Sequence, residues 1–100
     1  YDGAPTTVHT RNVERNPAVT LTLESGSQAV IVEGESHATT ADPQSWGARL
    51  AEAFTKYAAD GYAPAPDSWS GPDGGGLRVI APVRALAWFD FPTDCTRFTF

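Results

Sequence analysis

Residues 11–34 read RNVERNPAVTLTLESGSQAVIVEG and carry the clearest secondary-structure pattern in the chain. From Val19 to Leu23 apolar residues alternate with threonine, which is typical of a strand with one buried face. Residues 25–27 favour a turn, and Ala29 to Val32 returns as a second strand. We therefore predict an antiparallel β-hairpin, in which Gly34 marks either a bulge or a close approach of two backbones.

Helices are predicted on both sides of this hairpin. Thr6 or Thr7 can cap a short N-terminal helix, and Asn16, followed by a proline, is a suitable place for it to end. After the hairpin, Asp42 is a good N-cap and is followed by proline, which is favoured in the first turn. Apolar residues then recur at helical spacing, which predicts an amphipathic helix over residues 43–59.

The second half of the sequence is predicted to contain a loop and further strands. Residues 61–76 contain five glycines and three prolines, which predicts a mobile loop ending in the flexible connection Gly74-Gly75-Gly76. Residues 77–80 and 83–88 are strand-like runs joined across Ala81-Pro82, and residues 96–100 alternate again. This order of helices and strands favours an α+β fold with an antiparallel sheet.

Composition and charge limit the classes of function. The 100 residues are 41% hydrophobic and 19% charged, which predicts a single globular domain at most over residues 1–100. No apolar run approaches the roughly 20 residues of a membrane-spanning helix. The net charge is -5, so the surface repels nucleic-acid phosphates and anionic lipids, and we expect neither partner. Cys95 is the single cysteine, which favours a reducing, cytoplasmic location.

Polar side chains cluster near the start of the N-terminal helix. Thr7, His9, Arg11 and Asn12 provide hydroxyl, imidazole, guanidinium and amide groups. Free main-chain N–H groups and the helix dipole favour an anion at this end, and arginine binds phosphate through paired N–H groups. The alternative is a solvated helix face with a capping threonine. The histidines lack metal-ligand spacing, so no metal site is predicted, and His37 is expected to face solvent.

Aromatic residues are concentrated near the end of the chain. Clustered aromatic side chains dominate protein cores and interfaces, so we expect this group to form part of the core or a subunit interface. A stacking platform for a planar ring is the alternative. The residues concerned are Trp88, Phe89, Phe91, Phe98 and Phe100.

Three motifs follow one another along the chain. Residues 11–17 read RNVERNP, residues 30–34 read VIVEG after the alternating strand and turn, and residues 87–98 run from Ala-Trp to Asp-Cys-Thr-Arg-Phe. In this order and spacing they resemble the pyridoxamine 5'-phosphate oxidase-like family, the FMN-binding split β-barrels, and in particular its small actinobacterial-type members. The resemblance covers most of residues 6–100.

The resemblance implies a fold, a cofactor and an activity. The implied fold is an antiparallel Greek-key split β-barrel with two helices, which works as a homodimer. The implied cofactor is FMN, or a deazaflavin coenzyme in its place, bound at the dimer interface of an oxidoreductase that acts on a small organic substrate. The cofactor phosphate would meet Thr7, His9, Arg11 and Asn12, and no residue is identified as a catalytic acid or base.

The sequence departs from the family pattern in two places. His9 stands where lysine is common, which leads to the alternative of a non-catalytic cofactor- or haem-binding protein on the same fold. The family's first strands precede the N-terminal helix, whereas only five residues precede Thr6 here and the sequence contains no methionine. We therefore expect the barrel to be incomplete at the N-terminus of this sequence.

Overall fold

The computed structural model describes residues 1–4, 7–25 and 27–100. Its fold is α+β with a four-stranded antiparallel sheet, as predicted. The helices and strands are α1 (Val8–Arg15), β1 (Ala18–Ser25), β2 (Gln28–Ala38), α2 (Trp46–Ala53), β3 (Arg78–Trp88) and β4 (Thr96–Thr99). Three 3-10 helices, Phe54–Asp60, Pro66–Trp69 and Gly74–Gly76, lie between α2 and β3.

Residues of the chain group into two compact units by their internal packing. The first unit comprises Tyr1–Arg11 and Ala38–Val79, and therefore contains α2 and the three 3-10 helices. The second comprises Asn12–His37 and Ile80–Phe100, which contain most of the sheet.

Helix α1 begins and ends where its capping residues predict. The Thr10 N–H donates to Thr7 Oγ1 at 3.2 Å, so Thr7 caps the helix, whereas Thr6 lies outside the described residues. At the other end the Asn16 N–H donates to the Asn12 carbonyl at 2.9 Å. The proline at position 17 cannot continue the helical hydrogen bonds, because it has no N–H.

The predicted hairpin is confirmed and is longer than expected. Its register runs without interruption from the pair Ala18–Glu35 to the pair Ser25–Gln28, and the predicted turn includes Gly26, which lies outside the described residues. The bulge considered for β2 is therefore absent from this pairing. A Cβ atom on Gly34 would lie 2.3 Å from the Ala81 carbonyl oxygen. Of the two interpretations of this glycine, the close backbone approach is the correct one.

Strand β3 runs through the Ala81-Pro82 pair, where the sequence predicts a junction between two strands. That prediction is wrong because proline is compatible with extended backbone and removes only one donor from the ladder. Strands β3 and β4 pair from Arg84–Thr99 to Ala87–Thr96. The strand order is β1-β2-β3-β4, so within the described residues β1 and β4 are the edges of an open sheet.

The second helix is shorter than the predicted 43–59 and begins later. Asp42 Oδ1 accepts the Gln44 N–H at 2.8 Å, and the Asp42 carbonyl accepts the Gly47 N–H at 2.8 Å. Asp42 therefore forms a turn ahead of α2, and Ser45 is the N-cap. After Ala53 the chain tightens into the 3-10 helix Phe54–Asp60, which ends as predicted at Gly61, where φ is 84°.

Residues 61–76 do not form the mobile loop that their composition predicts. They contain two 3-10 helices and Trp69, which is only 1% exposed. The composition of this segment predicts turns, but it does not predict that one of them contains a buried core residue. Around Trp69 lie Ala41, Leu77, Leu50, Ala51 and Phe54, which form the apolar cluster of the first unit.

The glycine run before β3 is a packed element and not a flexible connection. All three glycines have positive φ values, between 58° and 77°. A Cβ on Gly74 would lie 2.0 Å from the Thr39 carbonyl oxygen, and one on Gly76 would lie 2.1 Å from the Gly3 carbonyl oxygen. Glycine is required here because backbones approach too closely for a side chain.

Asp94 organises the turn between β3 and β4. Its carboxylate accepts the N–H groups of Asp90 and Phe89, each at 2.8 Å. These two hydrogen bonds, that of Asp90 first, lower the pKa of the Asp94 carboxyl below its ordinary 3.8. The contribution of the carboxylate to the turn is therefore fully present above pH 3.8 and is lost as pH falls through the lowered pKa.

A pH titration followed by proton–nitrogen NMR checks this assignment. We expect the amide resonances of Phe89 and Asp90 to move together with a midpoint below 3.8, and the transition to vanish in Asp94→Asn. A midpoint at or above the ordinary value would contradict the two hydrogen bonds.

Candidate functional site

Helix α1 carries the four residues that the sequence singles out. Thr7, His9, Arg11 and Asn12 are all exposed. Residues three or four apart share a side of a helix, so Thr7 and Arg11 lie on one side and His9 and Asn12 on another. The four residues therefore lie close together at the start of α1, but they do not share one face of the helix.

The hydroxyl of Thr7 is used within the chain. Its Oγ1 accepts the Thr10 N–H and lies 3.0 Å from the Ala4 carbonyl oxygen and 2.9 Å from Thr10 Oγ1. A hydroxyl has one proton, which is donated to one of these two oxygens. Thr7 is thus a capping residue, and an anion at this end would bind main-chain N–H groups and Arg11 instead. Sequence reasoning cannot separate the two roles because both use the same atom.

The charges around the first turn of α1 favour an anion. The first turn contains no acidic residue. In the part of the chain that the structure describes, no carboxylate forms a salt bridge with Arg11. The ring of His9 packs edge-on against Tyr1, with 5.6 Å between the ring centroids. Arg11 and the N–H groups of the first turn are accordingly the groups best placed to hold a phosphate.

His37 is exposed on β2, as predicted. Its Nε2 lies 3.4 Å from Glu35 Oε2. Among the described residues no group of three or more His, Cys, Asp or Glu side chains comes together as a metal site would require. Cys95 is exposed and forms no disulfide.

Most of the C-terminal aromatic residues are on the surface. Phe89, Phe91, Phe98 and Phe100 are exposed, with Phe100 at 70%, and Trp88 is half-buried with its ring centroid 5.6 Å from that of Phe91. The cluster is therefore not part of the core, and its role in a subunit interface stays a prediction. The isolated sequence cannot distinguish an apolar residue that the fold buries from one that it exposes.

A pocket in the first unit was not predicted. It is called the aromatic pocket here, its volume is about 490 Å³, and it is lined by Tyr1, Asp2, Phe54, Tyr57, Asp60 and Tyr62. The i, i+3 spacing of Phe54 and Tyr57 indicates a shared helix face, and it predicts an amphipathic helix rather than a pocket. Nothing local in the sequence connects Asp2 with residues sixty positions away.

Asp2 anchors one side of the aromatic pocket. Its Oδ2 accepts hydrogen bonds from the Tyr62 hydroxyl and from Trp69 Nε1, the latter at 3.2 Å. Burial, and then the hydrogen bond to Asp2 and its charge, raise the pKa of Tyr62 to about 12. The phenol therefore keeps its proton, and continues to donate to Asp2, to a more alkaline pH than an ordinary tyrosine would.

Comparison of the chain with protein-family models, with curated proteins and with solved structures gave no match. Of the helices in the described part of the chain, none has the length and apolar character needed to cross a membrane.

Proposed function

We propose that the protein is a flavin- or deazaflavin-dependent oxidoreductase of the pyridoxamine 5'-phosphate oxidase-like type that acts on a small organic substrate. The observation that carries the proposal is the position of the motifs on the fold. The RNVERNP motif spans the end of α1 and leads into β1, and the VIVEG motif lies in β2, so that Val19 pairs with Gly34. Helix, hairpin, helix and closing strands follow in the order that the resemblance implies.

The residues at the start of α1 suit the phosphate end of FMN. The first turn is free of acidic residues, and Arg11 is exposed, so both can bind a dianion. His9 adds positive charge when it is protonated, and Asn12 adds an amide. Thr7 holds the first turn in place through its cap. When bound, the cofactor supplies the hydride chemistry, and the protein binds and orients it.

The apolar surface of the second unit supports the homodimer that belongs to this proposal. Leu21 and Leu23 lie on one face of β1, Val30 is paired with Leu23, and all three are exposed. Contiguous apolar surface of this kind commonly marks a protein interface. The proposal includes closure of the open sheet into a split barrel. A cytoplasmic location, supported by the unpaired Cys95, is also part of it.

Neutralising Arg11 tests the phosphate site. We expect Arg11→Gln to weaken FMN binding by about tenfold or more, because a charge-assisted hydrogen bond contributes ~1.5–3 kcal/mol. Arg15→Gln is the matched control, since Arg15 is exposed in the last turn of the same helix. The measurement is a titration of each variant followed by flavin fluorescence. Equal losses of FMN affinity in the two variants would show that the phosphate does not bind at the start of α1.

Turnover separates an enzyme from a binding protein on the same fold. Protein loaded with cofactor is mixed with a reductant and a panel of small carbonyl, quinone and imine acceptors, and re-oxidation is followed by absorbance. We expect re-oxidation of at least one acceptor to be faster with protein than with free cofactor. Tight binding with no acceleration would favour the non-catalytic alternative.

A further inference from the structure

The aromatic pocket has the composition of a binding site for a cation. Four of its six lining residues are aromatic and the other two are Asp2 and Asp60. No Lys, Arg or His side chain lines it. Its volume of about 490 Å³ lies within the range of small-molecule sites.

The Phe54 ring meets the Tyr62 ring at a right angle and the Tyr57 ring at 41°, and the two tyrosine rings remain accessible. The ring centroid of Phe54 lies 5.5 Å from that of Tyr62, with the two planes at 90°, and 5.9 Å from that of Tyr57. Tyr57 and Tyr62 are each 41% exposed, so ring surface is open to solvent. Rings set at angles around a small volume present several π faces and edges to one guest, as in the cages that bind quaternary ammonium groups.

The carboxylates place negative charge beside these rings. Both donors to Asp2, the Tyr62 hydroxyl and Trp69 Nε1, bind the same oxygen, Oδ2. These two hydrogen bonds hold the Asp2 carboxylate in position beside the rings. Asp60 is exposed and adds a second negative charge. An anionic guest such as the phosphate of a flavin would be repelled by both carboxylates.

A cation already lies against one of the lining rings. Lys56 Nζ lies 5.1 Å from the ring centroid of Tyr57. Lys56 does not itself line the pocket, so this contact shows only that the Tyr57 ring accepts an ammonium group. A metal ion does not suit the pocket, because hard cations require six or more oxygen ligands and the walls are mostly apolar.

We propose that the aromatic pocket binds a small organic cation, with a methylated ammonium group against the rings of Phe54, Tyr57 and Tyr62 and its charge balanced by Asp2 and Asp60. The apolar surface of a methylated ammonium matches the rings, and its diffuse charge costs less to desolvate than that of a primary amine. This site is independent of the cofactor proposal, and its test requires no flavin.

The test uses choline and its neutral carbon isostere, 3,3-dimethylbutan-1-ol. These two probes have nearly the same shape and differ in charge. The readout is the indole N–H resonance of Trp69, because this group is bonded to Asp2; the indole resonances of Trp46 and Trp88 serve as internal references. We expect choline to shift the Trp69 resonance saturably, with a dissociation constant of about 1 mM or tighter. The isostere should bind at least ~10-fold more weakly.

Two variants locate the binding at the pocket. Tyr57→Leu removes a ring and Asp60→Asn removes a charge, and each is expected to weaken choline binding about three- to tenfold. Tyr57→Phe keeps the ring and should therefore bind choline more tightly than Tyr57→Leu does. Asp67→Asn removes an exposed carboxylate of the same unit that does not line the pocket, so it should not change the affinity. Equal binding of the two probes, no saturation, or unchanged affinity in both Tyr57→Leu and Asp60→Asn would overturn the proposal.

Discussion

Replacement of Trp69 with alanine is expected to lower the free energy of unfolding by ~3–5 kcal/mol, because Trp69 is the largest fully buried side chain among the residues that the structure describes. Trp69 is 1% exposed and packs against Ala41, Leu77 and the ring of Phe54, whose centroid is 5.8 Å away. Its loss leaves a cavity that the surrounding 3-10 helices cannot fill. It also removes one of the donors that hold Asp2.

Guanidinium unfolding followed by circular dichroism measures this effect. Trp46→Ala is the matched control because Trp46 is 63% exposed at the start of α2. Its main interaction is a cation–π contact with Arg49, at 5.0 Å, so its replacement should cost no more than ~1 kcal/mol. Similar losses in the two variants would mean that residues 66–69 do not anchor a core.

The second large effect is expected for Gly74→Ala, at roughly 2–5 kcal/mol of unfolding free energy. Gly74 has a φ of 60°, which costs any other residue about 1–2 kcal/mol. The added Cβ would also lie 2.0 Å from the Thr39 carbonyl oxygen. Thr39 cannot easily move away, because its N–H donates to the Leu77 carbonyl at 3.0 Å. The cost of overpacking, ~1–3 kcal/mol, therefore adds to the strain.

Gly61→Ala separates the two contributions. Gly61 also has a positive φ, of 84°, but no atom lies within 4 Å of the position of its Cβ. We expect it to cost only the conformational strain of about 1–2 kcal/mol. Chemical denaturation of the two variants in parallel gives the difference. If Gly74→Ala lowers the free energy of unfolding no more than Gly61→Ala does, the close contact between Gly74 and the Thr39 carbonyl is contradicted.

The parts of the fold that follow from neighbouring residues were predictable from the sequence. The alternation of residues 19–23 specifies β1, and the cap at Thr7 specifies the start of α1, because both depend on contacts a few residues apart. Pro82 shows the limit of a local rule, since it interrupts a propensity pattern but not a strand. The helix predicted over 43–59 was half right, because no local feature indicates the change to 3-10 geometry at Phe54.

Features created by distant contacts were not predictable. The burial of Trp69 depends on Asp2, Ala41 and Leu77, which the chain brings together only on folding. The aromatic pocket depends on the same contacts. The candidate site on α1 shows a third case, because Thr7 was identified correctly as a special position. Its hydroxyl serves the cap, and this became clear only from the distances around it.

The central claim is that this chain binds a flavin-type redox cofactor, and an equilibrium titration of the full chain with FMN and with a deazaflavin coenzyme tests it most directly. Isothermal titration calorimetry gives affinity and stoichiometry without a label. We predict saturable binding of one of the two, with one cofactor per subunit and a dissociation constant in the micromolar range or tighter. Absence of saturable binding of both cofactors up to about 100 µM, a concentration that would detect even weak sites, would contradict the claim.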